Sequence, residues 1–226
     1  MVPTDSADQT ASKYSNETFF SWLRGNRTTV KRVLAMALFS RFMLVLAGWI
    51  ANYFQKNPVY QTYIDRGYQF TPHWLIDMWA RWDSGWYLSI AGGGYSPGAD
   101  LGNAYSNMAF FPLYPYLVKA MTFWLPDSVQ SAGVLIFAGL ILSNLCFLIG
   151  MLMLYYLTRR LLGEEKGAER TVLLTLCLPA AFIFSAFYTE SLYLLLTLAV
   201  CIAAEDDRWL LSAVFASLAA LTRANG

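Results

Sequence analysis

Charge is scarce in this sequence of 226 residues: Asp, Glu, Lys and Arg make up 14%, where an average globular domain has about 25%. Apolar residues fill the gap at 57%, against roughly 45–50% in soluble chains, which argues against an ordinary soluble domain. The remaining charges balance, sixteen basic against fifteen acidic. No basic field therefore points to nucleic acid, and no acidic run to a solvating tail. Cysteine is nearly missing as well. Cys146, Cys177 and Cys201 fall inside apolar runs, where they read as small hydrophobic side chains and not as a disulfide framework or metal cluster. Histidine occurs once, at His73, so any His-rich metal site or Ser-His-Asp triad would have to use that single imidazole. Ser84 follows it in the same loop; the helix-borne Ser and His pair of an intramembrane protease is missing.

Long apolar runs are what the sequence has instead. Ala132 to Leu157 contains no charge and exceeds the roughly 20 residues that cross a bilayer. Val33 to Phe54 is also long enough, with Arg41 inside it. Thr171 to Ala204 is apolar apart from Glu190; as one helix it would run about 51 Å, far beyond a hydrocarbon core of roughly 30 Å. It must fold back, at Pro179 or the polar cluster Tyr188-Thr189-Glu190-Ser191. The expectation is an all-α polytopic membrane protein with spans near 33–54, 132–157, 171–187, 189–204 and 209–223. Residues 1–30 are polar and lack an apolar core, as expected of a disordered tail and not of a cleaved signal peptide. Residues 31–226 form the membrane domain, interrupted by a long loop over 55–131.

Basic residues collect before the first span (Lys13, Arg24, Arg27, Lys31, Arg32) and after the second (Arg159, Arg160, Lys166, Arg170). The positive-inside rule makes that side, and the N-terminus, cytoplasmic. The sequons at Asn16 and Asn26 then lie on the wrong side for glycosylation and read as chance matches. The 55–131 loop becomes extracytoplasmic, and at about 80 residues it greatly exceeds the usual connection of roughly 4–6, as functional loops do.

That loop holds Trp74, Trp79, Trp82 and Trp86, then Gly92-Gly93-Gly94, then Ala109-Phe110-Phe111-Pro112-Leu113-Tyr114-Pro115. The plain reading of Trp82, Trp86, Phe110, Phe111 and Tyr114 is an interfacial aromatic belt, and the glycines read as a flexible turn, since they lack a dinucleotide fingerprint. Within Arg81-Trp82-Asp83-Ser84-Gly85-Trp86-Tyr87 a carboxylate lies between large aromatics, a partly dry setting that suits a general base. The plain alternative is Asp83 as the N-cap of a helix over 86–91, ion-paired to Arg81. Asp65, Asp77, Asp100 and Asp127 read as solvated loop acids, and no D-x-D or E-x-x-H spacing marks a metal pair, so no cofactor is named and metal dependence stays open. Arg41 falls near the middle of its span, where an unpaired charge costs at least about 2.5 kcal/mol and a bundle-facing partner is expected. Glu190 and Arg223 emerge at the extracytoplasmic ends of their helices, where they can meet Asp83; the plain alternative is a structural ion pair or interfacial anchoring.

Six separated stretches occur in an order that resembles the PIG-V family, the GPI second-mannose transferases and their prokaryotic relatives in the GT-C class. They are Ser40-Arg41; Trp82-Asp83 with Ile90-Ala91 and Gly94-Tyr95; Ala109-Phe110-Phe111-Pro112 with Pro115; Ser143-Asn144-Leu145; Phe184-Ser185-Ala186 with Tyr188-Thr189-Glu190-Ser191-Leu192; and Arg223-Ala224-Asn225-Gly226. The resemblance implies a GT-C-like helical bundle whose large first extracytoplasmic loop contains short interfacial helices. It also implies a mannosyltransferase-like hexosyltransferase that moves a sugar from a polyprenyl or dolichyl phosphate to an acceptor hydroxyl on the extracytoplasmic face, with inversion. The catalytic acidic residue of that class falls on Asp83; Arg41, Glu190, Arg223 and Asn225 are candidates for the donor phosphate or the substrates. The partners implied are the lipid-linked donor, the membrane and an unnamed lipid, glycan or protein acceptor, with no nucleic acid. The membrane would be the plasma membrane in a prokaryote and the endoplasmic reticulum in a eukaryote. Families of this class run to roughly twice this length, so the chain is expected to be an N-terminal portion, or to need a second subunit. Two other classes compete: a transporter or flippase, motivated by Arg41 and Glu190, and a noncatalytic membrane partner that docks through its aromatic loop.

Overall fold

The computed structural model describes residues 17–54, 70–96, 106–126 and 128–223. Asp65, Asp100, Asp127 and Asn225, with the lysine at position 13 and the sequon at Asn16, lie outside the described residues. Among the described residues there is no strand. In chain order the helices are α1 (Phe19–Gly25), α2 (Arg27–Phe54), α3 (Trp74–Asp77), α4 (Ser84–Gly93), α5 (Leu113–Thr122), α6 (Ala132–Leu162), α7 (Glu165–Leu176), α8 (Glu190–Glu205) and α9 (Trp209–Ala220). Two 3-10 turns, Asn107–Ala109 and Ala181–Ser185, complete the order.

Helix α6 is the hub, packed by α8, α7, α2, α5 and α4. Ser131 starts it as N-cap, its hydroxyl accepting from the Val134 amide at 3.4 Å, and Gly163 ends it in the left-handed conformation at φ 69°, a cap that glycine takes without steric cost. Among the described residues, two helices are long and apolar enough to cross a membrane, Arg27–Ala51 and Ala132–Leu162. Core side chains gather around α6 in two groups. One surrounds Trp22, Phe147, Tyr155, Tyr156 and Val172; the other surrounds Tyr87, Tyr114, Ile136, Phe187 and Leu192.

Three expectations need correction here. The first thirty residues are not structureless throughout. Thr18 accepts from the Ser21 amide at 3.4 Å as the N-cap of α1, and Trp22 of that helix is fully buried against Tyr155 and Tyr156. Secondly, the stretch expected to span near 171–187 is α-helical only to Leu176. Pro179 lacks an amide and disfavours helical geometry at Leu178, and the unwound segment that follows is held from outside. Arg41 donates from Nη1 to the Ala181 carbonyl at 2.9 Å and to Ser185 Oγ at 3.0 Å, and from Nη2 to Ser40 Oγ at 3.1 Å. Its guanidinium also lies 4.2 Å from the centroid of the Phe147 ring. The buried arginine thus has its bundle-facing partners, and it holds the irregular segment at its buried residues Ala181 and Ser185, while 177–180 are exposed. Thirdly, Gly92 and Gly93 are the last turn of α4, and only Gly94, at φ 80°, acts as a turn.

Candidate active site at the start of two helices

Asp83 immediately precedes α4. Its backbone carbonyl accepts from the Trp86 amide at 3.0 Å and from the Tyr87 amide at 3.4 Å, so the main chain starts the helix while the side chain makes no cap bond. The N-cap role open in the sequence is therefore filled by the backbone, and the carboxylate makes no ion pair or hydrogen bond among the described residues. It is exposed, not wrapped by the neighbouring tryptophans.

Arg81 has a different partner from the one expected. It pairs at 2.6 Å with Asp77 Oδ2, while Asp77 Oδ1 accepts from the amides of Phe70 at 2.8 Å and Thr71 at 3.1 Å. Asp77, read from sequence as a solvated acid, is buried with these three donors; a buried carboxylate needs such a set. Between this anchor and Asp83 lies Trp82, whose φ of 47° puts a bulky residue in the left-handed region, a conformation costing roughly 1–3 kcal/mol that neighbouring structure must impose.

The imposing structure is the chain just before α8. The Phe187 amide donates to the Trp79 carbonyl at 3.0 Å. The Tyr188 phenol donates to the Arg81 carbonyl at 2.7 Å, and the Ser84 hydroxyl donates to the Phe187 carbonyl at 3.1 Å. These three bonds zip residues 79–84 to 187–188 and bring Asp83 beside the start of α8. Tyr114 and Ser143 support the zip from below. The Tyr114 phenol lies 3.1 Å from the Gly139 carbonyl and 3.0 Å from Ser143 Oγ, which lies 3.3 Å from the Tyr188 carbonyl. Tyr114 is thus fully buried, a bracing residue and not a surface aromatic.

Glu190 opens α8, and its Oε1 accepts from Arg223 Nη1 at 2.7 Å. Its Oε2 is buried with no hydrogen-bond partner among the described residues. Arg223 is brought there because the Leu113 amide donates to the Leu221 carbonyl at 3.0 Å, tying the end of α9 to the start of α5. Glu190, Asp83 and Arg223 all act electrostatically on one phenol, Tyr87, one helical turn after Asp83. Burial is the largest influence raising the Tyr87 pKa; a hydrogen bond with Thr189 lowers it, Glu190 and Asp83 raise it, and Arg223 lowers it. Burial likewise pushes Tyr188 up to about 12, with Asp83 and Glu190 among the smaller contributors. Both phenols keep their protons at neutral pH and serve as hydrogen-bond groups.

Of the residues singled out in the sequence, Asp83, Glu190 and Arg223 are brought together. Arg41 is not one of this group: its contacts are Ser40, Phe147, Ala181 and Ser185 inside the bundle. Trp82 is exposed and tilts over Phe182 with centroids 6.2 Å apart. Trp86 stacks on Phe110 at 5.6 Å, and Phe111 is half-buried. Tyr87 and Thr189 went unassigned in the sequence reading; a tyrosine four residues after the acid, on the same face of a helix, was the available signal. Among the described residues, no three or more His, Cys, Asp or Glu side chains gather as a metal would require.

Together these observations define a helical membrane protein that presents an unpaired carboxylate beside an acid–base pair at one end of its bundle. The family described as mannosyltransferase (PIG-V) matches residues 68–226, and the chain belongs to that family. GPI mannosyltransferase 2 of Drosophila pseudoobscura pseudoobscura is 24% identical, over 79% of this chain and 42% of the relative. The chain therefore spans less than half the length of the curated relative it matches. No solved structure matches it.

Proposed function

We propose that the protein is a hexosyltransferase of the mannosyltransferase type, which takes mannose from a polyprenyl or dolichyl phosphate and transfers it to an acceptor hydroxyl on the extracytoplasmic face. The observation that carries this reading is the convergence of an exposed, unpaired Asp83 with the Glu190–Arg223 pair, in a chain of the PIG-V family. Asp83 accepts the proton of the acceptor hydroxyl as its oxygen attacks the anomeric carbon. The bond from that carbon to the phosphate oxygen breaks on the opposite face, and the centre inverts. The departing lipid phosphate carries the charge released, and Arg223, held by Glu190, meets it with a guanidinium suited to phosphate. The unpartnered Oε2 of Glu190 is available to a hydroxyl of the sugar or acceptor. The acceptor is a GPI-type glycolipid if the chain shares the activity named for its insect relative, and the membrane is then that of the endoplasmic reticulum. A cytoplasmic N-terminus with loop 55–131 outside belongs to the same reading.

The test is transfer by the full-length protein from polyprenyl phosphate mannose, compared with Asp83→Asn. Loss of transfer with unchanged insertion and melting supports the assignment; undiminished turnover overturns it.

A further inference from the structure

A cavity of about 580 Å³ opens between the segment before α3 and the first turns of α6, within the roughly 300–1,000 Å³ range of small-molecule sites. Phe70, Pro72, Ile76, Val134 and Phe137 form its apolar walls. Of its polar lining, two hydroxyls are engaged locally and the His73 residue is exposed. The Thr71 hydroxyl accepts from the His73 amide at 3.4 Å, and the Ser131 hydroxyl caps α6. The interior therefore favours hydrocarbon over sugar.

Two further features say which hydrocarbon. Phe137 is the top of an exposed stripe on α6 that continues through Ile141, Leu145 and Ile149. This is an every-fourth-residue row along one face of a membrane-crossing helix. From Phe137 to Ile149 it rises about 18 Å, a little more than half of a hydrocarbon core of roughly 30 Å. A lipid chain in one leaflet has the length and polarity to follow it into the cavity. The second feature is at the other end. Phe70 packs against Gly85, so tightly that a Cβ there would come within 3.1 Å of its ring, and Gly85 is in the first turn of α4, just after Asp83. One side chain separates the apolar cavity from the backbone that carries the carboxylate.

Resting on the function proposed above, we infer that this cavity holds the phosphate-proximal part of the donor's isoprenoid chain, which climbs the Phe137–Ile149 stripe and presents its sugar to Asp83 and its phosphate to Arg223. A lipid whose head group is the reacting group makes use of both ends of the path. A bulk phospholipid makes use only of the apolar end.

The test uses the full-length protein in phosphatidylcholine nanodiscs and a polyprenyl phosphate mannose with a photoreactive diazirine on the isoprene unit nearest the phosphate. Labelled peptides should map to 70–76 and 131–137, and excess unlabelled polyprenyl phosphate should suppress them where added phosphatidylcholine does not. Val134→Trp, which fills the cavity, should reduce labelling about tenfold and raise KM for long-chain and two-isoprene donors alike, while leaving KM for methyl phosphate mannose, which has no isoprene to place there, unchanged. Ile76→Trp fills it from the opposite wall and serves if Val134→Trp does not fold. Labelling elsewhere, equal suppression by phosphatidylcholine, or an equal KM change for the methyl phosphate and long-chain donors overturns the inference. Sugar transfer with labelling elsewhere removes this inference alone. Cavity labelling without transfer by the wild type removes the proposed function and leaves a polyprenyl phosphate site.

Discussion

The two ends of the bundle treat charge in opposite ways. Where α1 and the start of α2 meet the end of α6, three arginines are paired with carboxylates of neighbouring segments. Arg159 is buried and bonded to the Glu17 carboxylate, its guanidinium 5.6 Å from the Trp22 ring; Arg160 pairs with Asp206 and Arg32 with Glu169. At the other end, Asp83 is exposed and unpaired, and Glu190 and Arg223 form a partly exposed pair beside it. The first arrangement holds helices together. The second leaves charge facing outward on a backbone braced by hydrogen bonds and a strained tryptophan, which is how a site is kept ready for a ligand.

Substitutions test the contrast from its strongest term down. Asp83→Asn should lower turnover by about 10²–10⁴, the range for a positioned acid or base, with no change in melting temperature. A melting temperature that falls with the activity would make Asp83 structural. At the opposite end, Trp22→Ala should cost about 3–5 kcal/mol of stability, as large core truncations do, while KM for donor and acceptor in the folded fraction stays constant. Gly139→Ala should cost about 1–3 kcal/mol by overpacking, because a Cβ there falls 2.2 Å from the Phe187 ring; thermal unfolding of the purified protein measures it.

Tyr188→Phe removes one bond to the Arg81 carbonyl, worth about 0.5–1.5 kcal/mol, and should lower kcat with little change in KM by loosening the turn that aims Asp83. The pH dependence follows from the raised pKa. An unfolded tyrosine ionises near 10 and Tyr188 near 12, so its contribution is complete below pH 10 and is lost as pH rises through 12. Pre-incubation at pH 9 should spare the wild type, and unfolding followed from pH 9 to pH 12 should show the loss. The smallest effect on stability is expected from Arg223→Lys, within about 1 kcal/mol for a partly exposed pair, accompanied by a raised donor KM as planar phosphate recognition is lost.

Much of this site was legible in order and little of it in depth. Asp83, Glu190 and Arg223 stood out because charge near apolar runs is rare in this sequence and each lay in a stretch resembling one family. Asp77 was not separable from other loop acids, since its burial depends on the amides of Phe70 and Thr71 folding over it. Helix α1 had a signal that composition hid: Thr18 as cap, then Phe19, Trp22 and Leu23 at helical spacing. Pro179 marked the break after α7, but its position could not tell that Arg41, far earlier in the chain, would take the freed Ala181 carbonyl.

By itself the sequence determined the class of molecule, because hydropathy and charge act locally: uncharged runs long enough to cross a bilayer, helices begun and ended by nearby caps and prolines, and the motif order of a family. Tertiary structure alone decided which charges are spent and which are left. Arg41 is consumed by Ala181 and Ser185, far along the chain, and Asp77 by Arg81 and the amides of Phe70 and Thr71, near in sequence but folded over it; Asp83 is left open among the described residues, and Tyr87 is placed under the influence of Asp83, Glu190 and Arg223. These pairings depend on how segments fold onto one another, which no hydropathy or charge pattern contains.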